Sequence, residues 1–554
     1  MGIDFDALVM TIVWEFDEKN SMGAIESSFK FPLLTVVDPV RPNGPKAGAF
    51  LVMRSSIQVM IRRNPIWLIT LMFFFLSGCA GWYPTRVAIS PEQWLAQQID
   101  QQIAVPELQT ALVGIMVQSA RTGEILYQRN ANTLMMPASN QKILTCAAAL
   151  IKLGPEFRYL TPVYISGRIE AGVLKGDIIV VASGDPTFSY RFCDDKTDGF
   201  VFRAWADSLH AHGIYAIEGD VIGVDDLFDD ESLGYGWSLN NVSYGYSAPI
   251  GAFMYNENMA RLFVLSDSSG EYLSLKLKPD PGYLQLEPDL EIDPNATELT
   301  IRRIPETNRL QVIGKVQPGE YYIENVSIHD PTLHFLSALK WELVMLGIPI
   351  YGQPRDADHL NDPTRLASKK LLFVHRSMPL KQVLTVLMKE SQNLYAESLV
   401  KLLGARLGRA GSFDEGAKVV QATLRRLGID ENSYAYKDGS GLSRYNYVSP
   451  AQLVTILRNM SYHRYGSIFR ETLPIAGVDG TLDYRLKGTQ AQGRISAKTG
   501  TISNARCLSG YATTRDGEML IFSTMFNNFL CDVNVVMDVQ DRICLLLTSF
   551  QRRR

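Results

Sequence analysis

The chain has 554 residues, of which 46% are hydrophobic and 20% are charged, and its formal net charge is −4. This length is sufficient for two to four domains with their own cores. The small, mixed charge and the lack of a basic stripe give no reason to expect nucleic acid as a partner. The sequence also contains no GxxxxGKS/T, GxGxxG or HExxH motif, which argues against nucleotide-binding and metalloprotease sites.

The first informative segment resembles an export signal. Arg62 and Arg63 precede an uncharged apolar run of eleven residues, 66–76. A run of this length is too short to span a bilayer, but it suits the hydrophobic part of a secretory signal. The ending LSGC resembles a bacterial lipobox, which implies that Cys79 is lipidated. A short buried strand is the alternative interpretation.

A signal of this kind acts at the beginning of a chain, so residues 1–59 need a separate explanation. They show no clear periodicity and no helix caps. We therefore expect translation to start at Met60, or at Met53, and residues 1–59 to be a start-site artefact. Residues 60–78 are then the signal peptide, and the mature protein begins at Cys79 in the bacterial cell envelope, on the periplasmic side. The lipid is its only expected contact with a membrane.

The next part of the chain alternates between strand and helix patterns. Residues 111–130 predict a strand hairpin, and residues 135–154 predict an amphipathic helix. Strand patterns cover residues 159–181, a helix pattern covers 200–213, and short apolar strands broken by Gly, Pro and Asn fill 217–328.

The pattern becomes helical after residue 330. Four stretches have helical periodicity: 331–347, 379–408, 413–428 and 449–460. Three strands and a helix close the chain, at 494–500, 507–514, 519–527 and 540–550. We predict an α/β fold in which residues 79–160 and 372–554 form one domain and residues 161–371 form a β-rich insertion of two small domains.

Five cysteines follow Cys79, and an odd number without paired spacing does not indicate a disulfide framework: Cys146, Cys193, Cys507, Cys531 and Cys544. None has the CxxC spacing of a zinc or redox site. His210 and His212 are the nearest approach to a metal-binding pair and are expected to be surface residues. The sequence implies no metal and no organic cofactor.

A serine three residues before a lysine places both side chains on one face of a helix. The spacing alone is weak, because the chain has four such pairs: Ser27/Lys30, Ser139/Lys142, Ser337/Lys340 and Ser398/Lys401. Two later elements add specificity, the Ser-Gln-Asn of residues 391–393 and the single Lys-Thr-Gly at 498–500. Ser139 is the preferred candidate because a strand hairpin precedes its helix. Ser337 stays as a rival, since it also precedes both later elements.

A serine hydroxyl becomes a good nucleophile only when a base takes its proton. Lys142 can act as that base only when it is neutral, and at pH 7 deprotonating a free lysine costs about 4.6 kcal/mol. Burial and a second cation lower this cost. Lys498 is expected to be that cation.

In this order the three motifs resemble the active-site set of penicillin-binding proteins and serine β-lactamases. Five further segments are similar to the class C low-molecular-mass penicillin-binding proteins, the D-alanyl-D-alanine carboxypeptidases and endopeptidases of the bacterial cell wall: 176–189, 245–258, 438–444, 474–482 and 495–501. The resemblance extends from about residue 103 to the end of the chain. It implies a β-lactamase/transpeptidase-like three-layer domain, an antiparallel sheet with helices, split by the long β-rich insertion for which this family is known.

The resemblance also implies roles for individual residues. Ser139 would be the nucleophile and Lys142 its base, Ser391 would pass a proton towards the leaving group, and Asn393 would hold substrate and lysine. Lys498 completes the expected catalytic set.

Substrate binding is expected on the segment that follows Lys498. Lys498 and Thr499 would hold the terminal carboxylate of the peptide, and Gly500 would let the substrate backbone approach as in strand addition to a sheet edge. The backbone N–H groups of Ser139 and Thr501 would form the oxyanion hole.

One segment departs from the family pattern. Relatives often have acidic residues in a GWxWDD-like stretch, where this chain has GWSLNN with Asn240 and Asn241. If those acids bind the free amino group of a diamino acid side chain, the two asparagines weaken the case for that specificity.

The expected function is that of a serine DD-peptidase that acts on peptidoglycan stem peptides through an acyl-enzyme and is covalently inhibited by β-lactams. Carboxypeptidase and endopeptidase activities use the same chemistry, so both stay open. The alternatives are a β-lactamase or esterase of the same fold, and a non-catalytic peptidoglycan-binding lipoprotein.

Overall fold

The computed structural model describes residues 89–193 and 201–552. The ten helices of this part of the chain are α1 (Pro91–Ile103), α2 (Gln141–Leu153), α3 (Arg203–Ala211), α4 (Pro331–Met345), α5 (Leu380–Lys389), α6 (Asn393–Leu407), α7 (Phe413–Arg426), α8 (Pro450–Tyr462), α9 (Gly466–Thr472) and α10 (Val533–Ser549). The expected signal peptide at 60–78, Cys79 and residues 1–59 lie outside the described residues.

The same part of the chain forms nineteen strands. They are β1 (Leu112–Ser119), β2 (Ile125–Arg129), β3 (Leu160–Ile165), β4 (Arg168–Glu170), β5 (Val173–Lys175), β6 (Ile178–Val181), β7 (Ala216–Ile217), β8 (Val221–Val224), β9 (Met259–Ser266), β10 (Leu273–Lys278), β11 (Gln285–Ile292), β12 (Glu298–Arg303), β13 (Arg309–Val316), β14 (Tyr321–Ser327), β15 (Pro354–Asp356), β16 (Lys370–Arg376), β17 (Ile495–Ile502), β18 (Ala505–Thr513) and β19 (Met519–Asn527).

An antiparallel sheet joins the first two strands to the last three, in the order β17–β18–β19–β1–β2. Strands β1, β18 and β19 are buried almost along their whole length because both faces of the sheet are covered. On one face Ile115 of β1 packs in the same core as Ile99 of α1 and Ile543 of α10. On the other, Met116 shares a core with Ile143 of α2 and Leu453 of α8. Helices therefore cover both faces, which is the predicted three-layer arrangement.

The strands between β2 and β17 form four further sheets. One has five strands, in the order β15–β8–β6–β3–β16, and three have three strands each, β4–β5–β7, β10–β9–β14 and β11–β13–β12. Strands β3 and β16 are antiparallel neighbours. The chain thus enters and leaves the inserted region through adjacent strands, which is compatible with a loop-like insertion.

The stretch 379–408, predicted as one helical segment, is interrupted. Helix α5 ends at Lys389 and α6 begins at Asn393, and Ser391 between them has a left-handed φ of 59°. The Gln392 side chain accepts a hydrogen bond from the Leu394 N–H, which caps the new helix. The apolar periodicity continues across the break because both helices pack on the same core, so the pattern gave no sign of the interruption.

Cys146, Cys507 and Cys544 are buried free thiols and Cys531 is a half-buried one, whereas the Cys193 thiol donates to the Ser189 carbonyl. Among the described residues, no helix is both long enough and apolar enough to cross a bilayer.

Candidate active site

Ser139 lies on a tight turn at the beginning of α2. Residues 138–140 form a 3₁₀ turn that leads directly into the helix, and Ala138 has a left-handed φ of 46°. The predicted spacing places Lys142 beside the serine, with its Nζ 2.9 Å from the Ser139 Oγ. The turn also places Ser139 at the helix N-terminus, where backbone dipoles stabilise negative charge.

Lys142 is fully buried and has three oxygen partners. Besides Ser139, its Nζ donates to Asn393 Oδ1 at 2.6 Å and to the Ser440 carbonyl at 2.8 Å. Burial lowers the pKa of Lys142 to about 7, although the charges of Asp438 and Glu397 act in the opposite direction. A neutral Lys142 uses two N–H groups for Asn393 and Ser440, and its lone pair then faces the Ser139 hydroxyl.

The second lysine of the site, Lys498, is hydrogen-bonded to Ser391. Lys498 Nζ donates to Ser391 Oγ at 2.8 Å and to the Thr499 carbonyl at 2.9 Å. Burial, followed by the positive charges of Lys142 and Arg506, lowers the pKa of Lys498 well below its usual range. The sequence predicted a charged Lys498 beside a neutral Lys142. Burial and the two neighbouring cations instead favour the neutral form of Lys498. A substrate carboxylate close to Lys498 would raise its pKa again.

Strand β17 lies directly against the Ser139 turn. The Asn140 side chain donates to the Lys498 carbonyl at 3.0 Å. A Cβ atom on Gly500 would stand 2.7 Å from the Pro137 carbonyl oxygen, so this glycine allows the turn to approach the strand. That contact differs from the substrate contact expected for Gly500.

The threonines of this strand have polar partners on neighbouring segments. Thr499 Oγ1 shares a hydrogen bond of 2.8 Å with Thr481 Oγ1, and Arg506 donates to Thr501 Oγ1. Lys498 itself has no exposed surface. Thr499 is buried as well, whereas Thr501 is exposed and lines the cleft beside Ser139.

The loop at residues 438–446 provides one of the hydrogen-bond acceptors of Lys142, the Ser440 carbonyl. The Asp438 carboxylate accepts from the Gly441 N–H at 2.6 Å, and the Glu397 carboxylate accepts from the Gly439 and Ser440 N–H groups, both at 2.8 Å. These contacts fix the Ser440 carbonyl that binds Lys142. Burial, together with the charge of Asp438, raises the pKa of Glu397.

Sequence reasoning assigned no role to Asn140, Glu397, Asp438 or Ser440. Glu397 could have been noticed, because it lies four residues after Asn393 and therefore on the same face of α6. For Asp438 and Ser440 the only signal was the resemblance of segment 438–444, DGSGLSR, to the family.

Gly441 has the tightest steric requirement near the nucleophile. Its φ is +86°, and a Cβ atom there would overlap the Ala138 carbonyl oxygen. We expect Gly441→Ala to displace the Ser139 turn and to lower the rate of acylation by benzylpenicillin at least about 100-fold, since small misplacements of a reacting group are costly. The measurement is the acylation rate constant, with thermal unfolding as a check on folding.

Gly282→Ala is the matched control for this substitution. Gly282 also has a positive φ, of 74°, but no atom lies within 4 Å of its Cβ position. This variant should lose only about 1 kcal/mol of stability from backbone strain and keep its acylation rate. Equal effects of the two substitutions would contradict the steric argument.

The other two serine–lysine pairs among the described residues have lysines that bind groups outside the cleft. Lys340 donates to the Gly352 carbonyl at 2.6 Å, on the insertion side. The buried Lys401 forms an ion pair with the partly exposed Asp229, and Ser398 donates to the Tyr395 carbonyl. Neither pair joins the Ser-Gln-Asn or Lys-Thr-Gly elements. The pair Ser27/Lys30 lies outside the described residues.

The three predicted motifs border one cleft of about 320 Å³, which Ser139, Asn393 and Thr501, the residue after Lys-Thr-Gly, line together with Gly236, Ser238, Asn241, Tyr246, Gly441, Leu442, Arg444, Ile502 and Ser503. The insertion contributes directly to the site, because the Asn393 side chain donates to the Tyr246 carbonyl at 2.7 Å. Asn241, one of the two asparagines that depart from the family pattern, lines the same cleft. Arg444 is the only charged side chain in this lining.

The sequence profile of the D-Ala-D-Ala carboxypeptidase 3 (S13) family matches residues 95–550, and the chain belongs to this peptidase family. It is 31% identical over 470 residues to a D-alanyl-D-alanine carboxypeptidase of Actinomadura sp. (strain R39), covering 82% of this chain and 85% of that relative. It is 28% identical over 426 residues to D-alanyl-D-alanine carboxypeptidase DacB of Haemophilus influenzae, covering 75% of this chain and 85% of that relative.

A solved structure shows the same fold. Penicillin binding protein 4 (dacB) from Haemophilus influenzae superposes with a TM-score of 0.69 at 25% identity, covering 81% of this chain and 98% of that protein. The family resemblance, the fold class and the peptidase class predicted from the sequence are therefore confirmed, and at the level of the family so is the serine DD-peptidase function.

Proposed function

We propose that Ser139 is the nucleophile of a DD-peptidase that removes the terminal D-alanine of peptidoglycan stem peptides or cleaves D-alanyl cross-links. The observation that carries this proposal is the 2.9 Å contact between Ser139 Oγ and the Nζ of Lys142, a buried lysine whose pKa is lowered to about 7. At neutral pH about half of such a lysine is neutral, so the cost of generating the base has almost disappeared.

The first half of the reaction forms an acyl-enzyme. Ser139 Oγ attacks the carbonyl carbon of the penultimate D-alanine while its proton passes to Lys142 Nζ. The backbone N–H groups of Ser139 and Thr501 are the proposed donors to the oxyanion. When the C–N bond breaks, the leaving nitrogen needs a proton, and the Ser391 hydroxyl, which Lys498 contacts at 2.8 Å, is the proposed route for it.

The second half returns the free enzyme. Water attacks the ester carbonyl, its proton passes to the base, and Ser139 leaves with its oxygen protonated again. A β-lactam enters the same sequence, but its leaving group stays attached after the ring opens. We therefore expect a lasting adduct, whereas rapid hydrolysis of penicillin would favour the β-lactamase alternative.

Mass spectrometry after incubation with benzylpenicillin tests the proposal. The expected result is a mass increase of one intact penicillin per chain, mapped after digestion to the peptide that contains Ser139. An adduct on the Ser337 peptide, or no adduct on a folded protein, would contradict it.

We also propose that residues 79–160 and 372–554 form the catalytic domain around the insertion 161–371. The adjacent antiparallel strands β3 and β16 support this division, because an insertion whose two ends are neighbours leaves the surrounding domain intact.

We infer from the LSGC segment that Cys79 carries a lipid and holds the protein at a membrane of the cell envelope. The intact mass of the native protein tests this inference. The expected product begins at Cys79 and is heavier than its polypeptide by the mass of the lipid, and a mature product that begins at Met1 would contradict it.

A further inference from the structure

Two pairs of tyrosine rings lie on segments that line the cleft, one pair next in sequence to Gly236 and Arg444 and the other including Tyr246 itself. The rings of Tyr235 and Tyr445 are tilted against each other with centroids 5.4 Å apart, and the two residues are 63% and 52% exposed. The rings of Tyr244 and Tyr246 are stacked with centroids 5.6 Å apart. Clustered exposed aromatic surface next to a binding site is a frequent mark of ligand contact.

The outer pair, Tyr235 and Tyr445, is here called the tyrosine platform. Each of its members is next in sequence to a residue that lines the cleft, because Tyr235 precedes Gly236 and Tyr445 follows Arg444. The Tyr445 ring also lies directly against Gly236, so the platform borders the cleft that contains Ser139. It joins a residue of the insertion to a residue of the loop that supports Lys142.

The platform is held in place by its surroundings. Gly236 has a φ of +73°, and a Cβ atom there would overlap the Tyr445 ring, so this ring lies against bare backbone. The neighbouring Trp237 donates from Nε1 to Asp438 Oδ2 at 3.0 Å, which ties the segment of Tyr235 to the loop of Tyr445. Lys437 Nζ lies 5.8 Å from the centre of the Tyr235 ring. Such preorganisation lowers the entropic cost of binding.

We propose that the tyrosine platform binds the sugar rings to which the stem peptide is attached, that is, an N-acetylglucosamine–N-acetylmuramic acid unit. This inference rests on the proposed function, which places the stem peptide in the adjoining cleft. The C–H faces of a pyranose ring carry partial positive charge and pack well on the negative faces of aromatic rings.

The polar groups beside the platform suit the same ligand. Ser238, Asn240 and Asn241 follow Tyr235 closely in sequence, and Ser238 and Asn241 line the cleft. Neutral hydroxyl and amide groups of this kind are matched to sugar hydroxyl and N-acetyl groups, which also carry no charge. A lipid surface would require a larger apolar area without these amides.

The first experiment compares two substrates that differ only in their sugars. Release of D-alanine is measured from a disaccharide pentapeptide and from the same pentapeptide without the disaccharide. In the double variant Tyr235→Ala/Tyr445→Ala, we expect the ratio of the two kcat/KM values to fall about tenfold relative to the wild-type protein. A general loss of folding would lower both values and leave the ratio unchanged.

Two further variants separate ring stacking from other effects. Tyr235→Phe/Tyr445→Phe keeps the aromatic faces and should keep the wild-type ratio. Tyr351→Ala removes a tyrosine that is 68% exposed on the insertion, and it should also leave the ratio unchanged. An identical ratio in the wild-type protein and the double alanine variant would overturn the proposal, as would a drop of the same size in Tyr351→Ala.

The second experiment does not depend on catalysis. Binding of a peptide-free oligosaccharide of six alternating N-acetylglucosamine and N-acetylmuramic acid units to the Ser139→Ala protein is measured by calorimetry, and adding the two tyrosine-to-alanine changes should weaken it at least tenfold. Lack of binding at millimolar oligosaccharide would overturn the proposal that the tyrosine platform binds sugar rings and would leave the proposed function intact. Platform-dependent binding of the oligosaccharide, together with the absence of a penicillin adduct on the wild-type chain, would contradict the proposed function alone.

Discussion

Replacing Ser139 by alanine is expected to remove both the penicillin adduct and D-alanine release, with a loss of at least about 10⁴-fold, equivalent to about 5.5 kcal/mol of transition-state stabilisation. The reason is that the Ser139 hydroxyl contacts the proposed base Lys142, whereas Ser391, the other serine of the predicted motifs, is bonded to Lys498. The measurements are labelling with fluorescent penicillin and D-alanine release from a pentapeptide.

Ser337→Ala is the matched control for this experiment. Ser337 has the same spacing to a lysine, but Lys340 is engaged with the Gly352 carbonyl. This variant should keep its labelling and its activity. Labelling that survives Ser139→Ala and disappears in Ser337→Ala would show that Ser337, and not Ser139, is the nucleophile.

Replacing Lys142 by methionine is expected to lower the acylation rate about 10³-fold, within the range that general bases contribute. Methionine fills a similar volume but cannot accept a proton, and it leaves Asn393 Oδ1 and the Ser440 carbonyl without their 2.6 and 2.8 Å partner. Lys340→Met changes a lysine with the same spacing outside the cleft and should acylate at the wild-type rate.

The pH profile provides a second test of the same residue. Because only the neutral form of Lys142 accepts the serine proton, acylation by benzylpenicillin should be slow at low pH and should rise with pH through a midpoint near 7, the value to which burial lowers the pKa. This rise should vanish in Lys142→Met. A wild-type midpoint close to that of a free lysine would show that burial does not activate the base.

Much of the site could be predicted from local sequence. The spacing of Ser139 and Lys142 on a helix determines their contact, and the linear motifs identified Ser391, Asn393 and Lys498. The strand hairpin before Ser139 and the three strands that include the Lys-Thr-Gly element were also predicted, because alternation and turn residues are local signals.

Features that depend on contacts between residues far apart in the chain could not be predicted from local sequence patterns. The break between α5 and α6 is invisible in the apolar periodicity, yet it is this break that turns Ser391 towards Lys498 while Asn393 faces Lys142. The lowered pKa of Lys498 depends on burial and on the charges of Lys142 and Arg506, none of which can be inferred from the Lys-Thr-Gly element itself.

Because β3 and β16 are neighbours, the inserted region could be replaced by a short connection with little strain on the rest of the chain. Such a minimal protein would nevertheless lose the Tyr246 carbonyl that holds the Asn393 amide and the Trp237 indole that holds Asp438. The inserted region could thus be removed without disturbing the surrounding fold, but two of its residues hold groups of the active site. We infer that its shape and the reactivity of the serine have had to change together.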